Sequence, residues 1–243
     1  MGTNDDIPTL IVLVLGDSSV GKTSFVHMVC HDQPLSTPPP VTVGCHIEIK
    51  LYERRDRHQN PNLYFIEFRD VGGSVQHKNS RSSMFYDEFN GIILVSDLTS
   101  RQSYDNLKEW LYEVIQYRSQ QKLPKEFTPE VLQNFDVPIL LIHTKFDESN
   151  GTSILNNSKS THSDLSSANS LLPNYNRKSS LANLFNCDEI FVNCYSNKRF
   201  SVDTHNVAKL NSFFEKMIKK VSVEHIEPNP QFNWLTSEDH YIH

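Results

Sequence analysis

Residues 16–23, Gly-Asp-Ser-Ser-Val-Gly-Lys-Thr, match the phosphate-binding loop pattern G-x-x-x-x-G-K-[ST]. An all-apolar run at 10–15 precedes them, which suits a strand buried on both faces, and residues 22–31 have the apolar spacing of a helix. In this setting the glycines let backbone N–H groups turn toward a phosphate, and the helix N-terminus favours the anion. A chance match in a Ser/Gly-rich turn is the alternative, but it does not explain the flanking strand and helix. The sequence therefore predicts that the chain binds a nucleoside phosphate.

The side chains and the backbone of this loop have different expected roles. We expect Lys22 to neutralise the β- and γ-phosphates and the Thr23 hydroxyl to bind Mg²⁺. The other contacts are expected from backbone N–H groups. The loop residues predicted to bind the ligand are Asp17, Ser18, Ser19, Val20, Gly21, Lys22, Thr23 and Ser24.

Strand patterns alternate with helix patterns along most of the chain, which predicts an α/β fold with a mostly parallel sheet and helices on both faces. Predicted strands are 7–15, 43–53, 63–68, 91–97, 137–142 and 189–194, and predicted helices are 22–31, 101–118, 177–186 and 204–221. Residues 43–53 alternate apolar and polar side chains, which predicts a half-exposed edge strand antiparallel to the next strand. We expect one domain at 7–222, with a mobile Ser/Asn-rich insert at about 148–176 and a tail at 223–243.

The phosphate loop alone is compatible with a kinase, an ATPase or a GTPase, and the segment after the predicted strand 137–142 distinguishes them. Thr144 and Lys145 are followed by Asp147. An aspartate there can accept hydrogen bonds from guanine N1–H and the 2-amino group, whereas adenine offers no such pair of donors. The Lys145 stem can lie beside the phosphate loop and the base. A solvated turn is the alternative, but the position after a core strand favours guanine recognition, and a kinase acceptor site or lid is not recognisable.

Two further loops complete the predicted site. We expect Asp70 to hold Mg²⁺ through water and the Gly73 N–H to bind the γ-phosphate, although the same residues are compatible with a plain glycine turn. Thr42 can close over the metal with its hydroxyl, and Lys22, Thr42 and Gly73 are therefore the candidate catalytic residues. Cys194 and Tyr195 follow the last strand, where a backbone N–H commonly meets the guanine O6.

With these motifs in place, the chain resembles Ras-superfamily small GTPases and has a phosphate loop of Rab type. The resemblance rests on the loop, on Thr42–Cys45, on Asp70–Ser74 and on Asn90–Val95, and it covers roughly residues 8–148 and 186–221. It implies a P-loop GTPase fold with a six-stranded sheet, GTP/GDP and Mg²⁺ as ligands, and a nucleotide-dependent switch. It also implies roles in trafficking or in regulating other small GTPases, with a homodimer as one expected form.

Three departures from the family modify these expectations. Ser74 stands where most members have the glutamine that orients the attacking water, so we expect slow hydrolysis. Residues 32–41 lack the aromatic that packs on the base, so we expect faster nucleotide exchange. Cys194 and Tyr195 replace part of the usual Ser-Ala-Lys loop, so base contacts there should come from the backbone. A pseudo-GTPase scaffold that binds nucleotide only for stability remains the rival interpretation.

Composition limits the partners. The formal charge of −6 and the pI near 6.0 argue against non-specific binding to nucleic acid. The few cysteines have no paired spacing and no secretory leader precedes them, so we expect reduced thiols in a cytoplasmic protein. The last cysteine is Cys194, so we expect no prenylation and no direct lipid anchor. His27, Cys30 and His31 have the helical spacing of metal ligands, but no fourth ligand is evident and ordinary packing is expected.

Overall fold

A six-stranded sheet forms the centre of the protein. The computed structural model describes residues 7–55, 61–74, 86–119, 131–132, 135–146, 178–196 and 199–224. The strands are β1 (Thr9–Leu15), β2 (Cys45–Arg55), β3 (Pro61–Val71), β4 (Gly91–Asp97), β5 (Ile139–Thr144) and β6 (Asp188–Phe191). Their order is β2-β3-β1-β4-β5-β6, and every neighbouring pair is parallel except β2–β3. The predicted fold class, with its single antiparallel edge strand, is confirmed.

The described helices are α1 (Lys22–His31), α2 (Arg101–Asp105), α3 (Leu107–Ser119), α4 (Ser180–Leu184) and α5 (Thr204–Glu224), with a 3₁₀ turn at Phe200–Val202 before α5. The helix predicted at 101–118 is two helices, because a turn at Asn106 separates α2 from α3. The Asn106 N–H still bonds the Gln102 carbonyl at 2.9 Å, so the direction of the chain is kept. Within the described residues, no helix is long and apolar enough to span a bilayer.

The sheet is covered on both faces, as the unbroken apolar strands predict. Along β1, Val12 and Val14 pack with α1 and α5, whereas Leu13 and Leu15 pack with α2, α3 and α4 on the other face. This alternation fixes the register of β1 between its two parallel neighbours. The loops at the carboxyl ends of β1, β3, β4 and β5 therefore meet at one edge of the sheet, where ligands bind in such folds.

Three apolar side chains of the edge strand β2 are directed away from the core. Ile47, Ile49 and Leu51 are 53%, 57% and 54% exposed, while Glu48 and Lys50 on the opposite face lie against α1. The Lys50 ammonium donates to the Val29 carbonyl at 3.0 Å, which attaches the strand to the helix. The alternating pattern predicted the strand, but which face is buried depends on α1.

Several predictions fall outside the described residues. These are the insert at about 148–176, the tail beyond 224 and the base-selecting Asp147. The strand limits shift slightly, since β5 begins after Pro138, which has no N–H to donate to a ladder, and β6 ends at Phe191. The proposed limits of the domain, 7–222, stay a prediction.

Candidate functional site

The phosphate loop leaves β1 at Leu15 and enters α1 at Lys22. Three of its residues have positive φ, namely Gly16, with φ 149°, Ser19 and Gly21. Ser19 has φ 63° and Gly21, the residue before the helix, has φ 94°. A left-handed turn ahead of a helix directs successive N–H groups to one side and so forms an anion-binding concavity. At Gly21 this conformation favours glycine, because other residues are strained there. The local geometry is that of a phosphate cradle.

The Lys22 side chain arches back over this loop. Its ammonium donates to the Gly16 carbonyl at 3.0 Å and to the Asp17 carbonyl at 2.8 Å, and the side chain is buried. A buried cation is stable only when hydrogen-bonded and balanced by negative charge. The loop carbonyls supply the first requirement, and phosphate oxygens would supply both.

The Asp17 side chain is held from outside the motif. Its two carboxylate oxygens accept hydrogen bonds from the Asn106 amide at 2.7 Å and from the Trp110 indole N–H at 2.8 Å. Asp17 can therefore contact a ligand through its backbone only. Sequence reasoning did not find this pairing, because nothing in the motif indicates a partner about 90 residues away.

Three predicted metal ligands lie together between the loop, β3 and the segment before β2. The Thr23 hydroxyl bonds Asp70 Oδ2, and the Thr42 hydroxyl lies 3.1 Å from Thr23 Oγ1 and 3.3 Å from the same carboxylate oxygen. Hard oxygen ligands of this kind suit Mg²⁺.

One oxygen of the Asp70 carboxylate is left without a hydrogen-bond partner, as expected at a site that binds a cation. Its Oδ1 is buried and has no hydrogen-bond partner among the described residues. Burial raises the pKa of Asp70, although Lys22 and the hydroxyls of Thr23 and Thr42 favour the charged form. A divalent cation beside Oδ1 would satisfy the buried oxygen and stabilise its charge, so the residues present fit Mg²⁺.

Gly73 lies directly against the phosphate loop. A Cβ at this position would come within 2.4 Å of the Asp17 carbonyl carbon and of the Ser18 nitrogen. Only glycine allows the chain after β3 to approach the loop this closely. Ser74 follows immediately, and residues 75–85 lie outside the described part of the chain.

The carboxyl end of β5 supports the phosphate loop. Thr144 is buried, and its hydroxyl donates to the Val20 carbonyl at 2.5 Å or to the Ser96 carbonyl at 3.1 Å. Lys145 has φ 53°, and its ammonium pairs with Asp97 Oδ2 at 2.6 Å. Sequence reasoning did not find Asp97 or the bond from Thr144 to Val20. The position of Asp97, at the carboxyl end of the predicted strand 91–97, was the available signal.

Cys194 and Tyr195 lie in the segment between β6 and the last helix, but in different surroundings. Cys194 is buried in the core, whereas Tyr195 is partly exposed and its hydroxyl lies 3.5 Å from Ser24 Oγ. The Tyr195 N–H donates to Asn193 Oδ1 at 2.8 Å, so it would exchange this partner to bind a guanine oxygen. The sequence predicted a backbone contact here, and the structure adds an aromatic ring.

These groups surround a cavity of about 320 Å³, within the range of small-molecule sites. The predicted residues that line it are Ser18, Ser19, Gly21, Lys22, Thr23, Ser24, Thr42, Gly73, Lys145 and Tyr195, together with Pro38–Val41. The remaining predicted residues that the structure describes do not line the cavity; they are Asp17, Val20, Asp70, Thr144 and Cys194. The first four take part in the hydrogen bonds that hold the loop and the Thr23 hydroxyl in place. This is the arrangement of a Ras-like P-loop GTPase domain.

Comparison with known proteins agrees with this class. Residues 11–124 match the family model described as Roc, the Ras of Complex domain of DAPkinase. The chain is 36% identical over 219 residues to mouse Rab-like protein 3 and 34% identical over 219 residues to the human protein, with 86% of this chain and 84% of each relative covered. It is also 36% identical over 111 residues to small GTPase LIP1 of Arabidopsis thaliana, which covers 42% of this chain and 32% of that protein. The chain therefore belongs to the Rab-like protein 3 family of Ras-superfamily small GTPases.

Proposed function

We propose that this chain is a guanine-nucleotide switch with slow intrinsic GTP hydrolysis, acting in trafficking or in the regulation of other small GTPases. The observation that carries the proposal is the contact of Asp70 with the hydroxyls of Thr23 and Thr42. These two threonines line the same cavity as Lys22 and Gly73. Thr42 and Gly73 belong to the two segments that respond to a γ-phosphate in such switches. A nucleotide in this cavity would contact both segments at once.

Each residue has a specific part in this proposal. Thr23, Thr42 and Asp70 would hold Mg²⁺, which supplies positive charge to the β- and γ-phosphates when it is bound. Lys22 would exchange the carbonyls of Gly16 and Asp17 for phosphate oxygens. The position of Gly73 against the phosphate loop would bring its N–H close to the terminal phosphate.

Slow hydrolysis is expected because Ser74 is too short to orient an attacking water as a glutamine does. In single-turnover assays, Ser74→Gln should raise the rate of GTP cleavage by about tenfold, which corresponds to ~1.4 kcal/mol of activation free energy. Ser74→Ala is the matched control, since it changes the same position without adding an amide, and its rate should equal that of the unchanged protein. An unassisted rate like that of glutamine-containing relatives, or no acceleration in Ser74→Gln, would contradict this part of the proposal.

Guanine selectivity is proposed to come from Asp147, together with the Lys145 segment. Titration with fluorescent GDP and ADP should give a preference for GDP of several orders of magnitude, because adenine leaves the carboxylate unpaired. Asp147→Asn should reduce this preference while the phosphate contacts remain. Equal affinity for GDP and ADP in the unchanged protein would refute guanine recognition.

The rival is a scaffold that binds nucleotide for stability and keeps one interface. Ser74 favours it, whereas the hydrogen bonds of Thr42 to Thr23 and Asp70 favour the switch. Hydrogen exchange of backbone amides with GDP and with a GTP analogue separates the two. A switch should show greater protection of the amides of residues 41–44 with the analogue, and a scaffold should show the same protection with both.

We also infer that an apolar strip on the edge strand is where a second copy of the chain binds. The strip consists of Val41, Val43, Ile47, Ile49 and Leu51, all more than half exposed. It begins beside Thr42 and continues along β2, whose outer edge is unpaired within the described sheet. An edge strand with exposed apolar side chains suits self-pairing about a twofold axis. This agrees with the homodimer that the resemblance implies.

A further inference from the structure

Two histidines on α1 lie beside a glutamate from the edge strand β2. His27 and His31 are four residues apart and therefore one helical turn apart on the same face. Their rings are 4.3 Å apart between centroids, at an interplanar angle of 34°. The helical spacing suggested metal ligands but offered no partner from elsewhere in the chain. The sheet supplies one, because β2 directs Glu48 toward this face.

The Glu48 carboxylate reaches both imidazoles. His31 Nε2 lies 3.0 Å from Glu48 Oε2, and His27 Nδ1 lies 3.8 Å from Glu48 Oε1. One ligand atom from each of the three residues lies within 4.8 Å of the other two. Small rotations of these three side chains would bring the atoms to the distances of a coordination sphere, about 2.0–2.2 Å from a central ion.

One oxygen of the Glu48 carboxylate is buried without full compensation. The side chain is only 12% exposed, and its Oε2 has no partner with hydrogen-bond geometry among the described residues, despite its proximity to His31. A buried carboxylate oxygen left in this state is costly unless a cation or donor satisfies it. This observation is independent of the helical spacing of the histidines, and it points to a ligand at the same place.

We propose that His27, His31 and Glu48 bind a divalent transition metal ion, with Zn²⁺ as the best match. Two imidazole nitrogens and one carboxylate form a donor set typical of Zn²⁺ sites that keep a fourth position open. Imidazole disfavours Mg²⁺, which prefers oxygen ligands. The fourth position would face solvent, because His31 is 56% exposed.

The neighbouring groups are consistent with three protein ligands. The Cys30 thiol is close to Glu48, but it is outside the group of mutually close ligand atoms formed by the two histidines and the carboxylate. His46 Nδ1 lies 3.9 Å from Glu48 Oε1 but is outside the group of mutually close ligand atoms. Lys50 is the nearby cation that opposes metal binding, and its ammonium is directed to the Val29 carbonyl.

This site is separate from the predicted magnesium site. His27 lies one turn after Thr23 on α1, and the two sites share no ligand. A bound ion would join α1, which begins at the phosphate loop, to β2, which follows the Thr42 segment. It would stabilise the folded protein because it binds a geometry that the unfolded chain lacks.

The test is a Zn²⁺ titration of GDP-loaded full-length protein by calorimetry, with excess Mg²⁺ so that the nucleotide site stays occupied. Wild-type protein should bind one Zn²⁺ per chain with a rise in melting temperature. His31→Gln should weaken binding by more than the roughly 10- to 100-fold that loss of a supporting contact costs. His46→Gln is the matched control, since it removes an imidazole beside the same carboxylate, and its affinity should be unchanged.

Folding and ligand identity are checked in the same experiment. His31 is largely exposed, so His31→Gln should melt at the wild-type temperature without Zn²⁺ and lose only the stabilisation that Zn²⁺ gives. Co²⁺ should give visible absorption bands of a low-coordinate site in wild-type protein and not in His31→Gln. Equal Zn²⁺ affinity in wild type and His31→Gln, or no binding in wild type, would overturn the proposal. A thiolate-to-cobalt charge-transfer band would overturn the assignment of the three ligands.

Discussion

The bond from Thr144 to the phosphate loop allows a quantitative test of how that loop is held. The Thr144 side chain is buried, and its single hydroxyl proton can serve only one of two acceptors, Val20 O at 2.5 Å or Ser96 O at 3.1 Å. The shorter contact is with the loop. Thr144→Val keeps the shape and the β-branched preference for a strand but removes the donor.

The expected cost follows from the acceptor that is left behind. Removing the donor of a buried hydrogen bond costs about 1–3 kcal/mol, because the carbonyl loses a partner without regaining water. Val20 lies between Ser19 and Gly21, which both have left-handed backbone, so its carbonyl direction is linked to the shape of the phosphate cradle. We expect Thr144→Val to lower both the free energy of unfolding and the GDP affinity by ~1–2 kcal/mol, or about five- to thirtyfold.

The assays are urea unfolding and equilibrium binding of fluorescent GDP at fixed Mg²⁺. Thr144→Ser is the matched control, since it keeps the donor and removes only the methyl group that faces Gly21. Its GDP affinity should stay near that of the unchanged protein. If Thr144→Val binds GDP as tightly as wild type, the bond to Val20 does not shape the loop and the reasoning is wrong. If Thr144→Ser and Thr144→Val lose affinity equally, packing and not the hydrogen bond is responsible.

Three further changes test other parts of the structure. Tyr195→Ala should speed GDP release about three- to tenfold in stopped-flow measurements, because a ring that lines the cavity is lost, while Tyr195→Phe should not. Burial would raise the pKa of Glu189, but hydrogen bonds, first that from His143, lower it below its ordinary value of 4.5. Its stabilisation is therefore full above pH 4.5 and is lost as the pH falls further, so Glu189→Gln should flatten the acid limb of thermal stability measured against pH. Ile47→Glu with Ile49→Glu should abolish dimers in sedimentation velocity with unchanged GDP affinity, and persistent dimers would place the contact elsewhere.

Local signals in the sequence were sufficient for the elements that carry the phosphate loop. The prediction of a helix at 22–31 and a strand at 91–97 agrees with α1 and β4 to the residue. In both cases the sequence has a strong marker at each end, such as the glycine before α1, and an apolar pattern without interruption between. Helix–strand alternation then limits the topology to a parallel, doubly wound sheet.

Contacts between distant segments were not predictable in the same way. The pattern of β2 gave the strand, yet its exposed face is the apolar one, because Glu48 and Lys50 meet α1. In contrast, Thr23, Thr42 and Asp70 were predicted to be metal ligands from motifs alone, since each motif indicates its own chemistry. The contacts among these three residues are not stated by any motif, because the residues lie in distant segments that only the folded structure brings together.

The phosphate loop is held from several directions by groups that the loop motif does not include. Trp110 fixes the Asp17 side chain, Thr144 fixes the Val20 carbonyl, and Gly73 lies against the backbone of Asp17 and Ser18. A chain could therefore keep every motif residue and still lose affinity if one of these supports were changed. A nucleotide that binds only when the loop has these contacts shifts the equilibrium toward that state, and it therefore stabilises the packing of α3, β5 and β3 around the loop. Nucleotide affinity and the free energy of unfolding should therefore change together in variants of Trp110 and Thr144. The ratio of the two changes measures how much of each contact serves the ligand.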